Sequence, residues 1–177
     1  MNSNQSIEEI YKEHNGLVYN LCLNYLQNIE DAEEVTQDVF LTIFKKQEGF
    51  KSNSSLKTWV YRITVNQCLD FLKAKKRKKR FGFLIPIYDN SESYSYSNFE
   101  HPGVLLENQE ATEGLLKLIN ELPENQKTAI ILKVIDELSQ KEIAEVMGLS
   151  IKAVESLLSR AKNNLKEKIN QSEGNNI

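Results

Sequence analysis

The sequence predicts an all-α protein: two small helical domains joined by a linker, the second containing a helix-turn-helix. Three observations predict it. Apolar residues recur at helical spacing in every patterned stretch. Ser and Asn residues stand at N-cap positions before those stretches, with Ser-x-x-Glu capping boxes at Ser6 to Glu9 and Ser139 to Glu142. Between the two patterned blocks, residues 81–110 carry Gly82, Pro86, Pro102, Gly103 and interleaved Ser and Tyr, with no helical period through the middle. The expected divisions are therefore 1–80, 81–110 and 111–177.

The first helix follows Ser6, with Ile7, Ile10, Tyr11, Leu17, Val18, Leu21, Tyr25 and Leu26 as its apolar positions. Asn28 caps the second, where Glu30 and Asp31 suit the positive end of the helix dipole. Ala32, Val35, Val39, Phe40 and Ile43 form its apolar side, and Glu33, Glu34, Gln37 and Asp38 fall off that stripe. A polar loop, 49–55, leads to a long third helix capped by Ser54 or Ser55. Leu56, Val60, Ile63, Leu69 and Leu72 can face a core. Trp59, Tyr61, Arg62, Asn66 and Lys73 bring rings, an amide and cations into one region, a mixture suited to single-stranded or partly melted nucleic acid. Trp59 taken alone reads better as a core ring. The run Lys73 to Arg80 is cationic at seven of eight positions and reads better as a phosphate-binding segment than as a solvated tail.

Helical pattern resumes near Ala111 and continues through Leu122-Pro123, where Pro123 and Asn125 open another helix. Ser139 then caps a short helix in which Leu138 and Ile143 can form a hydrophobic staple. Gly148 ends that helix because it tolerates the left-handed conformation. Ser150 caps the next, with Leu149 and Val154 as a second staple. Val154, Leu157, Leu158, Ala161 and Leu165 make its buried stripe, and Ile151, Lys152, Glu155, Ser156, Ser159, Arg160 and Asn163 lie opposite. Two capped helices split by Gly-Leu-Ser form a helix-turn-helix, a device for placing a helix in the major groove, or else a plain αα-hairpin.

Composition narrows the function. With 40% apolar and 27% charged residues, the 177-residue chain can bury real cores and is not disordered throughout. No apolar run approaches the roughly 18 residues of a membrane span. The start, MNSNQSIEEIYKEH, lacks the basic and apolar segments of a signal peptide. A cytoplasmic protein without membrane insertion is the expectation. Cys22, Cys68, His14 and His101 are isolated in sequence, so neither a metal site nor a cofactor is expected, and each Cys reads as a reduced helix residue. No glycine-rich phosphate loop or nucleophile-base pair points to catalysis. The net charge of −3 conceals blocks: −6 over residues 1–50, +9 over 51–80, −5 over 81–110 and −1 beyond. Such blocks face different partners, and the local +9, not the total, governs encounters with phosphates.

Three motifs stand in order: Asp31-Ala32-Glu33-Glu34-Val35-Thr36-Gln37-Asp38-Val39-Phe40; then Thr58-Trp59-Val60-Tyr61-Arg62-Ile63 with Asn66 and Leu69-Asp70; then Leu122-Pro123 with Gln126, Glu142-Ile143-Ala144 and Ser159-Arg160-Ala161. In that order they resemble the extracytoplasmic-function group of the bacterial sigma-70 family. The resemblance runs over roughly residues 6–168. It implies a sigma region 2-like domain over 1–80, an acidic flexible linker and a region 4-like domain over 111–177. Asp31, Glu34, Gln37 and Asp38 would dock on core RNA polymerase. Ser52, Asn53, Ser54, Lys57, Trp59, Tyr61, Arg62, Asn66, Lys73, Lys76 and Arg77 would open and bind the −10 promoter region. Asp89, Glu92 and Glu100 would thread the linker through channels built for nucleic acid. Ile151, Lys152, Glu155, Ser156, Ser159 and Arg160 would read the −35 element. The resemblance also admits an anti-sigma partner, which no residue here specifies.

The recognition helix departs from the family pattern. Glu155 and Leu157 stand where the family often has a basic residue and an arginine, and Lys162 stands for the final arginine. Glu155 repels phosphate but can accept from a cytosine amino group. The competing readings are a stand-alone helix-turn-helix regulator with residues 1–80 as a sensing or dimerisation domain, and a metal-dependent nucleic-acid enzyme, for which spaced ligands are lacking.

Overall fold

A computed structural model describes residues 6–50, 54–81 and 109–174, and among them all regular structure is helical. The order is α1 (Ile7–Leu26), α2 (Ile29–Lys46), a 3₁₀ turn (Gln47–Gly49), α3 (Leu56–Phe81), α4 (Gln109–Asn120), α5 (Glu124–Ile130), a π-helical turn (Ile131–Ile135), α6 (Gln140–Met147) and α7 (Ile151–Gly174). The chain forms two compact units, one built on α1–α3 and one on α4–α7. Residues 82–108, with Asp89, Glu92 and Glu100 and all but the ends of the expected 81–110 linker, lie outside the described residues, while Phe81 still belongs to α3 and Gln109 already opens α4.

In the first unit the caps form as the side-chain chemistry dictates. Ser6 Oγ accepts from the Glu9 N–H at 3.2 Å while the Glu9 carboxylate accepts from the Ser6 N–H at 2.9 Å. Asn28 Oδ1 accepts from the Asp31 N–H at 2.7 Å. Ser55, not Ser54, starts α3, its Oγ accepting from the Thr58 N–H at 3.0 Å. The three helices close around Ile10, Val18, Leu21 and Tyr25 of α1, Ala32, Val35, Val39 and Ile43 of α2, and Val60, Ile63 and Thr64 of α3. Thr64 is tolerated there because its hydroxyl donates to the Val60 carbonyl at 2.9 Å. Between α3 and α2, Gln67 Nε2 donates to Thr42 Oγ1 at 2.9 Å.

Several expectations shift. Tyr11 is 48% exposed rather than buried, and lays its ring edge-to-face on Phe40 at 4.7 Å, since a tyrosine can cover a core ring from the water side. Leu56, Leu69 and Leu72 are only half-buried. His14, isolated in sequence, is buried in α1, with no hydrogen-bond partner on Nε2 and the Glu13 carboxylate 3.9 Å away. Burial holds this imidazole below the ordinary histidine range; Glu13 pulls it up and Lys57 pulls it down.

In the second unit α4, α5 and α6 all pack on α7. Leu116, Ile119, Ala129, Ile130, Ile143 and Ala144 meet a stripe of Val154, Leu158, Ala161 and Leu165. Gln126 is buried and accepts from Asn164 Nδ2 at 2.8 Å, while Lys168 Nζ reaches the Glu121 carboxylate at 2.5 Å. The Ser139–Glu142 capping box is complete. Gly148 takes φ 66°, and both its N–H and that of Leu149 donate to the Ala144 carbonyl. Ser150 Oγ accepts from the Ala153 N–H at 3.2 Å. The second staple is partial, for Val154 is buried but Leu149 is 39% exposed.

Two outcomes follow. At Gly148 an added Cβ meets nothing within 4 Å, so Gly148→Ala costs only the left-handed backbone term. That is about 1–2 kcal/mol in urea unfolding, and an unchanged midpoint would contradict it. For His14, the unfolded chain takes up a proton before the folded one, so stability is lost as pH falls through the unfolded pKa towards the lower folded value. Between about pH 7 and pH 5.5 the urea midpoint falls more steeply for the native chain than for His14→Gln. Equal slopes would remove this role from His14.

Candidate nucleic-acid interface

The interface begins with the split personality of α3. Val60, Ile63, Thr64 and Cys68 are buried, so residues about half a turn away must face water. Trp59, Arg62 and Asn66 stand at i, i+3 and i+7 on that outer side; Trp59 is half-buried, Arg62 and Asn66 are exposed. The Trp59 ring rests beside Phe50 with centroids 4.9 Å apart and planes tilted by 40°. Phe50, at the end of the 3₁₀ turn, escaped the sequence reading, although an aromatic residue opening a polar loop was the available signal. Lys57 is exposed, with Nζ 6.0 Å from the Tyr61 ring centre. Tyr61 is a correction. It is 4% exposed, because position 61 turns inward beside Val60 and Thr64, and its ring is not offered to bases. Ser54 is half-buried, and Ser52 and Asn53 lie outside the described residues.

Further along α3, Lys73, Lys75, Lys76, Arg77 and Lys78 are exposed. Asp70, Lys73, Lys76 and Arg77 line an open depression of about 620 Å³. Asp70 stands 3.9 Å from Lys73 Nζ, so this depression is cationic with one carboxylate at its edge. The arrangement offers a stacking ring, an amide and a guanidinium at one end of a helix and a phosphate-attracting block at the other.

The acidic side of α2 divides in two. Glu34, Gln37 and Asp38 are exposed on one face. Leu41 and Phe44 continue that face at 55% and 57% exposure. The sequence reading placed neither, yet 34, 37, 38, 41 and 44 form their own helical series. Asp31, grouped with the acidic face, is turned elsewhere. Its carboxylate accepts from Lys75 Nζ at 2.5 Å and is only 19% exposed, so it clasps the start of α2 to the basic end of α3.

In the second unit Ile151, Lys152, Glu155, Ser156, Ser159 and Arg160 are all exposed on the outer side of α7. Arg160 lies back along its helix, donating from Nη2 to Ser156 Oγ at 3.0 Å and from Nε to the Ser156 carbonyl at 3.3 Å. Leu157 is half-buried at the edge of the stripe.

Comparison with known proteins gives this geometry its setting. Residues 10–78 match the family model for sigma-70 region 2, and residues 112–165 match that for sigma-70 region 4. The chain is similar to the ECF RNA polymerase sigma factor SigW of Bacillus subtilis, at 29% identity over 92% of this chain and 87% of that protein. It is similar to the ECF RNA polymerase sigma-E factor of Escherichia coli, at 29% identity over 78% of this chain and 74% of that protein. Its fold is shared with the sigma factor RpoE of Bartonella quintana, solved in complex with the anti-sigma factor NepR, at TM-score 0.70 and 23% identity over 92% and 96% of the two chains. It is shared also with CnrH in complex with the cytosolic domain of CnrY, at TM-score 0.63 and 20% identity over 93% and 88% of the two chains.

The Asp31–Lys75 clasp makes a separable prediction. In a double-mutant cycle of Asp31→Asn and Lys75→Gln, the coupling in unfolding free energy is at most about 1 kcal/mol, as for other part-exposed pairs, and shrinks with added salt. Strict additivity of the two substitutions would show that the clasp contributes nothing.

Proposed function

The chain belongs to the sigma-70 family, in its extracytoplasmic-function group, and on that footing we propose that it binds core RNA polymerase and directs it to specific promoters. The polymerase makes the phosphodiester bonds, and this chain supplies recruitment, recognition and melting, working in the cytoplasm. No described helix is long and apolar enough to cross a membrane. The observation that carries the reading is the outer face of α3, where Trp59, Arg62 and Asn66 share one side of a helix that continues into exposed Lys73, Lys76 and Arg77.

The proposed division follows the chain: a region 2-like domain over 1–80, a linker over 81–110 and a region 4-like domain over 111–177. Glu34, Gln37 and Asp38 dock on polymerase, with Leu41 and Phe44 extending the same face, while Asp31 positions α3 through Lys75. Trp59, Arg62 and Asn66 hold the −10 element. Extruding a base costs a few kcal/mol, which stacking and hydrogen bonds must repay. Lys57, Lys73, Lys76 and Arg77 neutralise phosphates, and Ser52, Asn53 and Ser54 belong to the loop beside them. Ile151, Lys152, Glu155, Ser156, Ser159 and Arg160 face the −35 element. Two fold relatives were solved with protein partners, one of them an anti-sigma factor, and an anti-sigma partner is proposed for this chain as well. A stand-alone duplex regulator is the weaker reading, since it leaves the sigma-70 region 2 match at residues 10–78 without a purpose.

Loss of one stacked base is worth about 1–3 kcal/mol. Trp59→Ala therefore lowers open-complex formation with core polymerase by about fivefold to 150-fold, Asn66→Ala lowers it as well, and polymerase affinity stays within about twofold for both. Glu34→Lys with Asp38→Lys does the reverse, weakening the complex with core polymerase before any DNA is added. Normal promoter opening by both α3 variants, or unchanged polymerase affinity for the α2 variant, would overturn the corresponding assignment.

A further inference from the structure

Cys22 and Cys68 lie 46 positions apart in sequence and meet in the core of the first unit, with Sγ atoms 3.7 Å apart. Both are wholly buried, and no disulfide joins them. Cys22 belongs to α1 and Cys68 to α3, and the Cys68 thiol donates to Cys22 Sγ. The ordinary explanation of a buried cysteine is that it packs as a small apolar group. That explanation accounts for each residue singly. It does not require two sulfurs from different helices to point at each other.

We propose that Cys22 and Cys68 form a redox site, oxidised by hydrogen peroxide to a reversible intramolecular disulfide that ties α1 to α3. The Cys22 thiolate attacks a peroxide oxygen, the O–O bond breaks, and Cys22 sulfenic acid and hydroxide result; the proton released by Cys22 converts the hydroxide to water. The Cys68 thiol then attacks the sulfenic sulfur, the S–O bond breaks, and a second water leaves. Two electrons pass from the thiols to the peroxide, whose two oxygens end as water. The side chains must draw their sulfurs from 3.7 Å to a bonding distance of about 2.05 Å. Cys22 is suited to attack first: a hydrogen bond from Cys68 holds its thiol below the ordinary range, against the opposite pull of burial. Because both sulfurs are buried, local opening of the unit sets the rate of oxidation.

The cross-link would enclose the whole of α2 and end two residues beyond Asn66. It therefore acts on the three-helix body behind the exposed face of α3, and it does not depend on the promoter-binding role proposed above. Closing a loop in the unfolded chain raises stability, so oxidation moves the urea midpoint upward.

The test treats the full chain with hydrogen peroxide, quenches it and maps it by mass spectrometry without reduction. The expected result is a loss of two hydrogen masses, one linked peptide pair containing Cys22 and Cys68, no dependence on protein concentration, and a higher urea midpoint. Dithiothreitol restores the starting mass and midpoint. In Cys68→Ala, Cys22 stops at sulfenic acid and is trapped by dimedone. If that variant does not fold, the mapping of the native chain still decides. Over-oxidation to sulfinic acid without a linked pair, disulfide-linked dimers, or unmodified thiols under peroxide that oxidises an exposed cysteine peptide would each overturn the proposal.

Discussion

The first unit depends on the packing of one face of α3 against α1 and α2. A helix bearing so many cations does not hold itself in place; its charges repel, and its polar side gains nothing from burial. What holds it is the row Val60, Ile63, Thr64 and Cys68, sealed beneath two other helices. Once that row is fixed, helical geometry decides the remaining positions. Tyr61 is carried inward. Trp59, Arg62 and Asn66 are carried outward. A side chain that meets a ligand gains from preorganisation, and the outward positions of α3 are organised by residues sealed in the core.

The same logic operates at smaller scale around it. Phe50 props the Trp59 ring from the preceding turn, so the aromatic surface is supported before any ligand arrives. Asp31 fixes Lys75 and thereby links the acidic helix to the basic one. In the second unit α7 repeats the arrangement, with Val154, Leu158, Ala161 and Leu165 buried and Lys152, Glu155, Ser156, Ser159 and Arg160 outside. The two outer faces differ in charge, however. The outer face of α7 carries Lys152 and Arg160 against Glu155, and Arg160 is partly engaged with Ser156. Of these two outer faces, that of α3 therefore exerts the stronger attraction on phosphate.

Much of this was legible in the sequence because it is local. Caps are decided by residues three apart, so Ser6, Asn28, Ser139 and Ser150 could be read directly. Gly148 was legible for a similar reason, as few residues other than glycine accept φ 66° without strain. Helix stripes were legible to within a position or two, and their edges were not. Tyr61 adjoins the buried row and its sign depends on a small rotation of α3. Tyr11 stands where the stripe of α1 runs out. Contacts between helices were not legible at all, since no periodic pattern encodes which residue of one helix meets which of another. The burial of His14, the meeting of Cys22 with Cys68, the Asp31–Lys75 clasp and the Gln126–Asn164 hydrogen bond are all of that kind.

On the proposed role, this chain reads and opens promoter DNA only as part of a polymerase complex, through a face of α3 held from behind by the core. Thymine reactivity to permanganate tests it most directly, on promoter fragments selected by transcription from fragmented genomic DNA. Reactive thymines near the −10 position are expected when core polymerase and the chain are both present, and none with either alone. Opening by core polymerase without the chain, or equal occupancy of duplex fragments by the chain whether or not polymerase is present, would contradict it.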